Sequence, residues 1–180
     1  MSEFLEQPLL IAFTGLNRYT AQIDRIEDLA VARIMSEYYQ LTGSVVRGAG
    51  GRVVKFTGDG ALAVYPPEES DRAVLGLLEL KRAADALMEA RGWECHVVIK
   101  VHFGTVATGE FGSDADRRYD VLGKAVNLTA RLDASSGIAL SAEAFRRLSP
   151  VVRTRFKKHT PPITYIRLED SHQPRWAKRA

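Results

Sequence analysis

Arg52-Val53-Val54-Lys55-Phe56-Thr57-Gly58-Asp59-Gly60-Ala61-Leu62-Ala63-Val64-Tyr65 reads as a β-hairpin. Two runs rich in β-branched and aromatic residues, Arg52 to Thr57 and Ala61 to Tyr65, flank Gly58-Asp59-Gly60. Asp-Gly suits the positive backbone angles of a tight hairpin turn. Upstream of it, Ile26, Leu29, Ala30, Ile34, Tyr38, Leu41 and Val45 recur at helical spacing, which predicts a helix from about Asp24 to Val46. Gly48 to Gly51 end that helix. Further upstream, Leu9 to Phe13 is a short apolar run bounded by Pro8 and Gly15, a buried strand. Downstream, Pro66-Pro67 breaks the chain and Ser70 is placed to cap a helix running to about Arg91. Ala73, Leu77, Leu80, Ala84 and Leu87 share one face of it. Cys95 to Phe103 is a valine- and isoleucine-rich strand.

Strand, helix, strand, strand, helix, strand is the ferredoxin-like order, so periodicity alone predicts an α+β fold with a βαββαβ core. A C-terminal extension follows. It holds a polar excursion from Gly112 to Arg118, a strand at Tyr119 to Leu122 and a helix from Lys124 to Leu132. A strand at Ile138 to Ser141 and a helix from Ala142 to Leu148 come next. The extension closes with a strand pair at Val152 to Phe156 and Ile163 to Leu168. We expect one domain over 1–170 and a loose tail over 171–180.

The whole chain has 180 residues, enough for one well-filled core. Apolar residues make up 46% and charged residues 26%, ordinary values for a globular protein. A net charge of +3 is too mild for a nucleic-acid groove, yet it would not repel a polyphosphate. Much of the excess sits in Arg153, Arg155, Lys157, Lys158, Arg175, Lys178 and Arg179, read as a solvated basic rim. Cys95 is the only cysteine, which excludes an intrachain disulfide and fits a reducing compartment. No export signal and no membrane-spanning window are legible, so the expected location is cytoplasmic.

Two clusters carry chemistry. Lys55 lies inside a strand among Val53, Val54 and Phe56, where a lone lysine must reach solvent or meet a partner. Beside the turn carboxylate of Asp59 it hints at a polar site. The second cluster is Asp120-Val121-Leu122-Gly123-Lys124-Ala125-Val126-Asn127-Leu128-Thr129-Ala130-Arg131. On a helix starting near Gly123, Asn127 and Arg131 are four apart and share a face. Taken singly, each has a bland role: a turn, a helix cap at Asp120, an exposed polar stripe.

Together, Lys-x-x-Gly-Asp-Gly followed by Asp-x-x-Gly-x-x-Val-Asn-x-x-x-Arg-Leu resembles the catalytic signature of class III adenylate and guanylate cyclases. The resemblance runs from about Leu9 to Leu168. It includes Gly48-Ala49-Gly50-Gly51, His102-Phe103-Gly104-Thr105-Val106 and Gly137-Ile138-Ala139-Leu140-Ser141. It implies that Lys55 and Asp120 recognise adenine, lysine donating to a ring nitrogen and aspartate accepting from the exocyclic amine. Guanylate cyclases tend to carry Glu and a small or sulfur-bearing residue there, so an ATP-to-cyclic-AMP activity is implied. Asn127 matches the ribose-orienting residue and Arg131 the one that meets charge on the reacting phosphate. Lys157 or Lys158 would bind the terminal phosphates.

The family's reaction is attack of the ribose 3′-hydroxyl on the α-phosphate, assisted by two Mg²⁺ or Mn²⁺ ions held by two aspartates and a backbone carbonyl. Asp59 matches the second aspartate. The first belongs to Phe-Ala-Asp-Ile-x-x-Phe-Thr, and here the stretch is Phe13-Thr14-Gly15-Leu16-Asn17-Arg18-Tyr19-Thr20. Gly15 therefore stands where the aspartate is expected, and Leu16 supplies the carbonyl. Three readings stay open: a naturally degenerate site, a deliberate knock-out, or a shell completed by water and nucleotide phosphates. The expectation from sequence is that Gly15→Asp alone raises turnover more than any other single change. The resemblance also implies a head-to-tail dimer, with metal ligands from one chain and Lys, Asp, Asn and Arg from the other, and with the 112–118 excursion as an arm. A homodimer would be weak or silent. A heterodimer with an intact chain would keep one full site, an arrangement that mammalian membrane cyclases resemble. The alternative is a nucleotide-binding pseudocyclase with a regulatory role.

Overall fold

The structure, a computed structural model, describes residues 4–135, 137–160 and 163–170. The expected tail over 171–180, with its Arg175, Lys178 and Arg179, lies outside the described residues. Strands β1 (Leu5–Leu16), β2 (Arg52–Thr57), β3 (Gly60–Tyr65) and β4 (Val97–Ser113) form one sheet in the order β2-β3-β1-β4. Helix α1 (Tyr19–Ile23) and helix α2 (Asp28–Gly48) join β1 to β2, and α3 (Ser70–Ala90) joins β3 to β4. All three pairings are antiparallel, the ferredoxin-like arrangement. The extension adds β5 (Asp116–Leu122), which folds back on β4. After α4 (Lys124–Arg131), β6 (Ile138–Leu140) pairs parallel to β4. Helices α5 (Ala142–Arg147) and α6 (Pro150–Arg153) precede the edge pair β7 (Phe156–His159) and β8 (Thr164–Arg167).

Alternation along β1 feeds two cores. Leu10, Ala12 and Leu16 enter the larger one, shared with α2, α3 and α5. Leu9 and Ile11 enter a smaller one with Leu62, Val106, Val121 and Ala125. Phe13 packs against the smaller core too, so Gly15 lies on the face covered by β5 and α4.

Several expectations need correction. The helix foreseen over Asp24 to Val46 starts only at Asp28, after a turn at 24–27, and a short helix, α1, precedes that turn. The buried row of α2 is Met35, Tyr38, Thr42 and Val46, and Leu29 is 72% exposed. Of the positions read at helical spacing, Tyr38 is fully buried and Ile34, Leu41 and Val45 pack partly buried against the same core, so the stripe holds except at its N-terminal end. Ser70 does not cap α3 with its oxygen; its hydroxyl donates to the Pro67 carbonyl. The strand expected at Val152 to Phe156 begins only at Phe156. Ser149 caps Val152, and Pro150 is preset for a first turn, so that segment is helical. The 112–118 excursion is the tip of the β4–β5 hairpin, whose strand starts at Asp116 rather than Tyr119.

The Asp59 turn is fixed from both sides. Tyr38 donates to Thr14 Oγ1 at 3.0 Å, and the same oxygen accepts from the Ala61 amide at 3.1 Å. Burial pushes the Tyr38 phenol up to about 12, so it remains a donor across the working range. Tyr38→Phe should lower stability by about 1 kcal/mol, the worth of one buried hydrogen bond. A lowered urea midpoint with unchanged slope checks this. No change at all would mean that Thr14 is held by Ala61 alone.

Candidate active site

Gly58 adopts a positive φ of 54°, and a Cβ on Gly60 would meet the Thr14 carbonyl oxygen at 2.0 Å. Only glycine allows both the turn and the close approach to β1. That approach sets Asp59 against the end of β1, where its Oδ2 accepts from the Leu16 amide at 3.1 Å. Tyr39 donates to the Gly58 carbonyl and stacks on Phe56 at 4.2 Å, which holds the turn against α2. A Cβ on Gly15 would lie 3.5 Å from Asp59 Oδ2 and 3.9 Å from Val98 Cγ2, ordinary contact distances. Gly15, Leu16 and Asp59 are thus brought together, and a side chain fits at position 15.

Lys55 is positioned by an irregularity. Val53 pairs with Ala63 but Lys55 with Leu62, so Val54 is the extra residue of a β-bulge. Bulges re-aim the side chains beside them. Here Lys55 Nζ reaches Asp120 Oδ2 on β5 at 2.6 Å, bridging residues 65 apart in sequence. Arg52 lies over the Tyr119 ring at 3.6 Å and ties the same two strands. Asp120 does not cap α4: its Oδ1 accepts from the Val121 amide at 2.8 Å, and Gly123 is the N-cap. The pair is half-exposed, at 48% for Lys55 and 23% for Asp120, so it is open to a ligand.

Asn127 and Arg131 lie exposed on α4, and among the described residues no hydrogen bond or ion pair ties either side chain to this chain. Lys157 and Lys158 are not brought near the others. They lie on β7, at the edge of the sheet opposite β2, and Lys157 donates to the Leu168 carbonyl at 2.6 Å.

A pocket of ≈ 370 Å³ opens beside the turn, lined by Gly15, Thr57, Asp59, Val98, Lys100 and Ala130 among others. Lys100 escaped the sequence reading. Its signal was present: a lone lysine in Val97-Val98-Ile99-Lys100-Val101, the pattern that singled out Lys55. The register places it opposite Phe13, two residues along from the Val98–Gly15 pair, hence on the Gly15 face.

The two-ion site implied by the resemblance does not fit these residues. One carboxylate faces the pocket, and one of its oxygens already accepts the Leu16 amide. Among the described residues no group of three or more His, Cys, Asp or Glu is placed to hold a metal ion. Mg²⁺ demands near-octahedral oxygen coordination, and an ammonium in the same pocket opposes a dication.

One nucleophile-like cluster is structural. His102 Nδ1 lies 2.8 Å from Ser141 Oγ, but that oxygen caps α5 by accepting from the Ala144 amide. Burial pushes the His102 imidazole down, and the site faces the core.

Solved structures that resemble this chain include adenylyl and guanylyl cyclases. The adenylyl cyclase CyaB from P. aeruginosa superposes with a TM-score of 0.79 at 18% identity, covering 96% of this chain and 98% of that one. The guanylyl cyclase Cya2 gives 0.77 at 21% identity, with coverages of 89% and 91%. The chain belongs to the adenylate and guanylate cyclase catalytic domain family, whose model matches residues 5–167. An adenylate cyclase of Anabaena cylindrica is 26% identical over 133 residues, 69% of this chain and 26% of that protein. Adenylate cyclase 1 of Rhizobium meliloti is 26% identical over 136 residues, 71% of this chain and 20% of that protein. The chain thus spans a fifth to a quarter of these relatives' length. No helix among the described residues is long and apolar enough to cross a membrane.

Proposed function

We propose that this domain binds ATP at a dimer interface and contributes the base, ribose and α-phosphate contacts of an adenylate cyclase site. The observation that carries the reading is the Lys55–Asp120 pair at 2.6 Å, a donor beside an acceptor, aimed outward from two strands. Lys55 donates to the adenine ring nitrogen, and Asp120 accepts from the exocyclic amine. Asn127 orients the ribose. Arg131, four residues on, meets the charge that grows on the α-phosphate as the 3′-hydroxyl attacks and pyrophosphate leaves. Lys157 and Lys158 would reach terminal phosphates only from the far sheet edge, so they contribute least. Exposed Leu122 and Leu128, 48% and 52% accessible, flank these residues and suit burial against a second chain.

As a homodimer the domain turns over weakly or not at all, because each site lacks the carboxylate that Gly15 replaces. Paired with an intact cyclase chain it completes one site. The pseudocyclase reading has support of its own from Lys100, which occupies the pocket where ions would be held.

Base choice tests the assignment. Lys55→Glu with Asp120→Gly should shift preference from ATP toward GTP, since each mismatched hydrogen bond costs on the order of 1–3 kcal/mol. Competitive binding of the two nucleotides reads this out. A double variant that still prefers ATP as strongly as the parent would remove adenine recognition from these residues.

A further inference from the structure

Lys100 stands between Ile99 and Val101, both fully buried, in a central strand. Its ammonium donates to the Ala130 carbonyl at 2.6 Å. Ala130 belongs to the last turn of α4, whose carbonyls have no intrahelical partner. Lys100 therefore caps that helix, and a cation suits the negative end of its dipole. Capping accounts for one of three N–H donors on an ammonium. The remaining two have no acceptor within this chain among the described residues, and Lys100 lines the pocket with Gly15, Thr57 and Asp59.

We propose that the Lys100 ammonium is the resident cation of this pocket and receives the polyphosphate of a nucleotide directly, without a divalent ion. The inference rests on the ATP-binding reading above. Where paired carboxylates would gather dications, this pocket sets one carboxylate against one ammonium, and the glycine at position 15 leaves room for a phosphate oxygen. The absent side chain and the added lysine then act together. Asp59 becomes a liability to anion binding rather than an asset, and this reverses the sign of its substitution.

The test is ATP binding to the full chain by calorimetry, in excess EDTA and again with Mg²⁺. The affinities should agree within about threefold. Lys100→Gln keeps a donor for the Ala130 carbonyl while removing the charge, and should loosen ATP in EDTA by about tenfold. Lys100→Arg, which keeps the charge, should retain EDTA-tolerant binding and guards against a folding defect in the first variant. Asp59→Asn, whose carbonyl still accepts the Leu16 amide, should tighten binding in EDTA. Binding that requires Mg²⁺, is indifferent to Lys100→Gln and is weakened by Asp59→Asn would overturn the inference and leave the ATP reading standing. No ATP binding in either buffer would overturn both.

Discussion

Gly15→Asp combined with Lys100→Ala should raise Mg²⁺-dependent formation of cyclic AMP by roughly a hundredfold or more over the parent chain. Neither change alone should approach that. The position 15 Cβ lies 3.5 Å from Asp59 Oδ2, so a carboxylate there sits beside the existing one without displacing backbone. With Lys100 retained, the new carboxylate has an ammonium on its own face of the sheet and pairs with it. This changes the expectation drawn from sequence, in which Gly15→Asp sufficed. The double variant regains two acids and loses the competing cation. Losing the cap on α4 costs roughly 1 kcal/mol, tolerable in a folded domain. Mn²⁺ titration by calorimetry, run beside the turnover assay, separates restored ion binding from a general rise in activity. A single Gly15→Asp variant as active as the double one would remove Lys100 from the account.

In a co-expressed dimer with an intact class III adenylate cyclase chain whose own Asn and Arg have been replaced, this chain should restore cyclic AMP production. In the proposed arrangement the only complete site then uses Lys55, Asp120, Asn127 and Arg131 from this chain and the acids from the other. Arg131→Ala should reduce that activity by about a hundredfold or more, because in the proposed site the guanidinium would meet charge that develops only in the transition state. ATP affinity should fall far less. Arg131 is exposed and has no side-chain partner among the described residues, which makes this clean, since its removal leaves no buried group there unsatisfied. A dimer that forms yet stays silent would show that this chain's half is incomplete as well.

The parts of this structure legible from sequence are those governed by local rules. Bounds of the Arg52–Thr57 strand and the α3 helix follow from turn residues and periodicity, and the structure places them within a residue or two. What escaped depends on partners distant in sequence. β1 extends to Leu5 and β4 to Ser113 because each pairs along its length with the other or with β5. Those added stretches mix Glu, Gln, Pro, Thr and Gly with scattered apolar residues such as Val106, so neither reads as a continuous apolar run. The α2 stripe fails only at its N-terminal end, where Ile26 precedes the helix and Leu29 lies exposed in its first turn. At the site, Asp59 and Lys55 were visible as oddities in a strand and a turn. The bulge at Val54 that aims Lys55 was not, since nothing in Val53-Val54-Lys55 distinguishes it from regular alternation. Lys100 obeyed the same rule as Lys55, yet only the Phe13–Lys100 register shows which face it serves.

The central claim is that an ATP site has kept its base-reading half and lost its ion-holding half. One purified preparation of the unmodified chain, assayed for ATP and GTP binding and for cyclic AMP formation with Mg²⁺ and Mn²⁺, tests it most directly. The account predicts saturable binding that favours ATP over GTP, together with cyclic AMP formation near background under both ions. Ordinary Mg²⁺-dependent turnover, or failure to bind ATP at all, would contradict it.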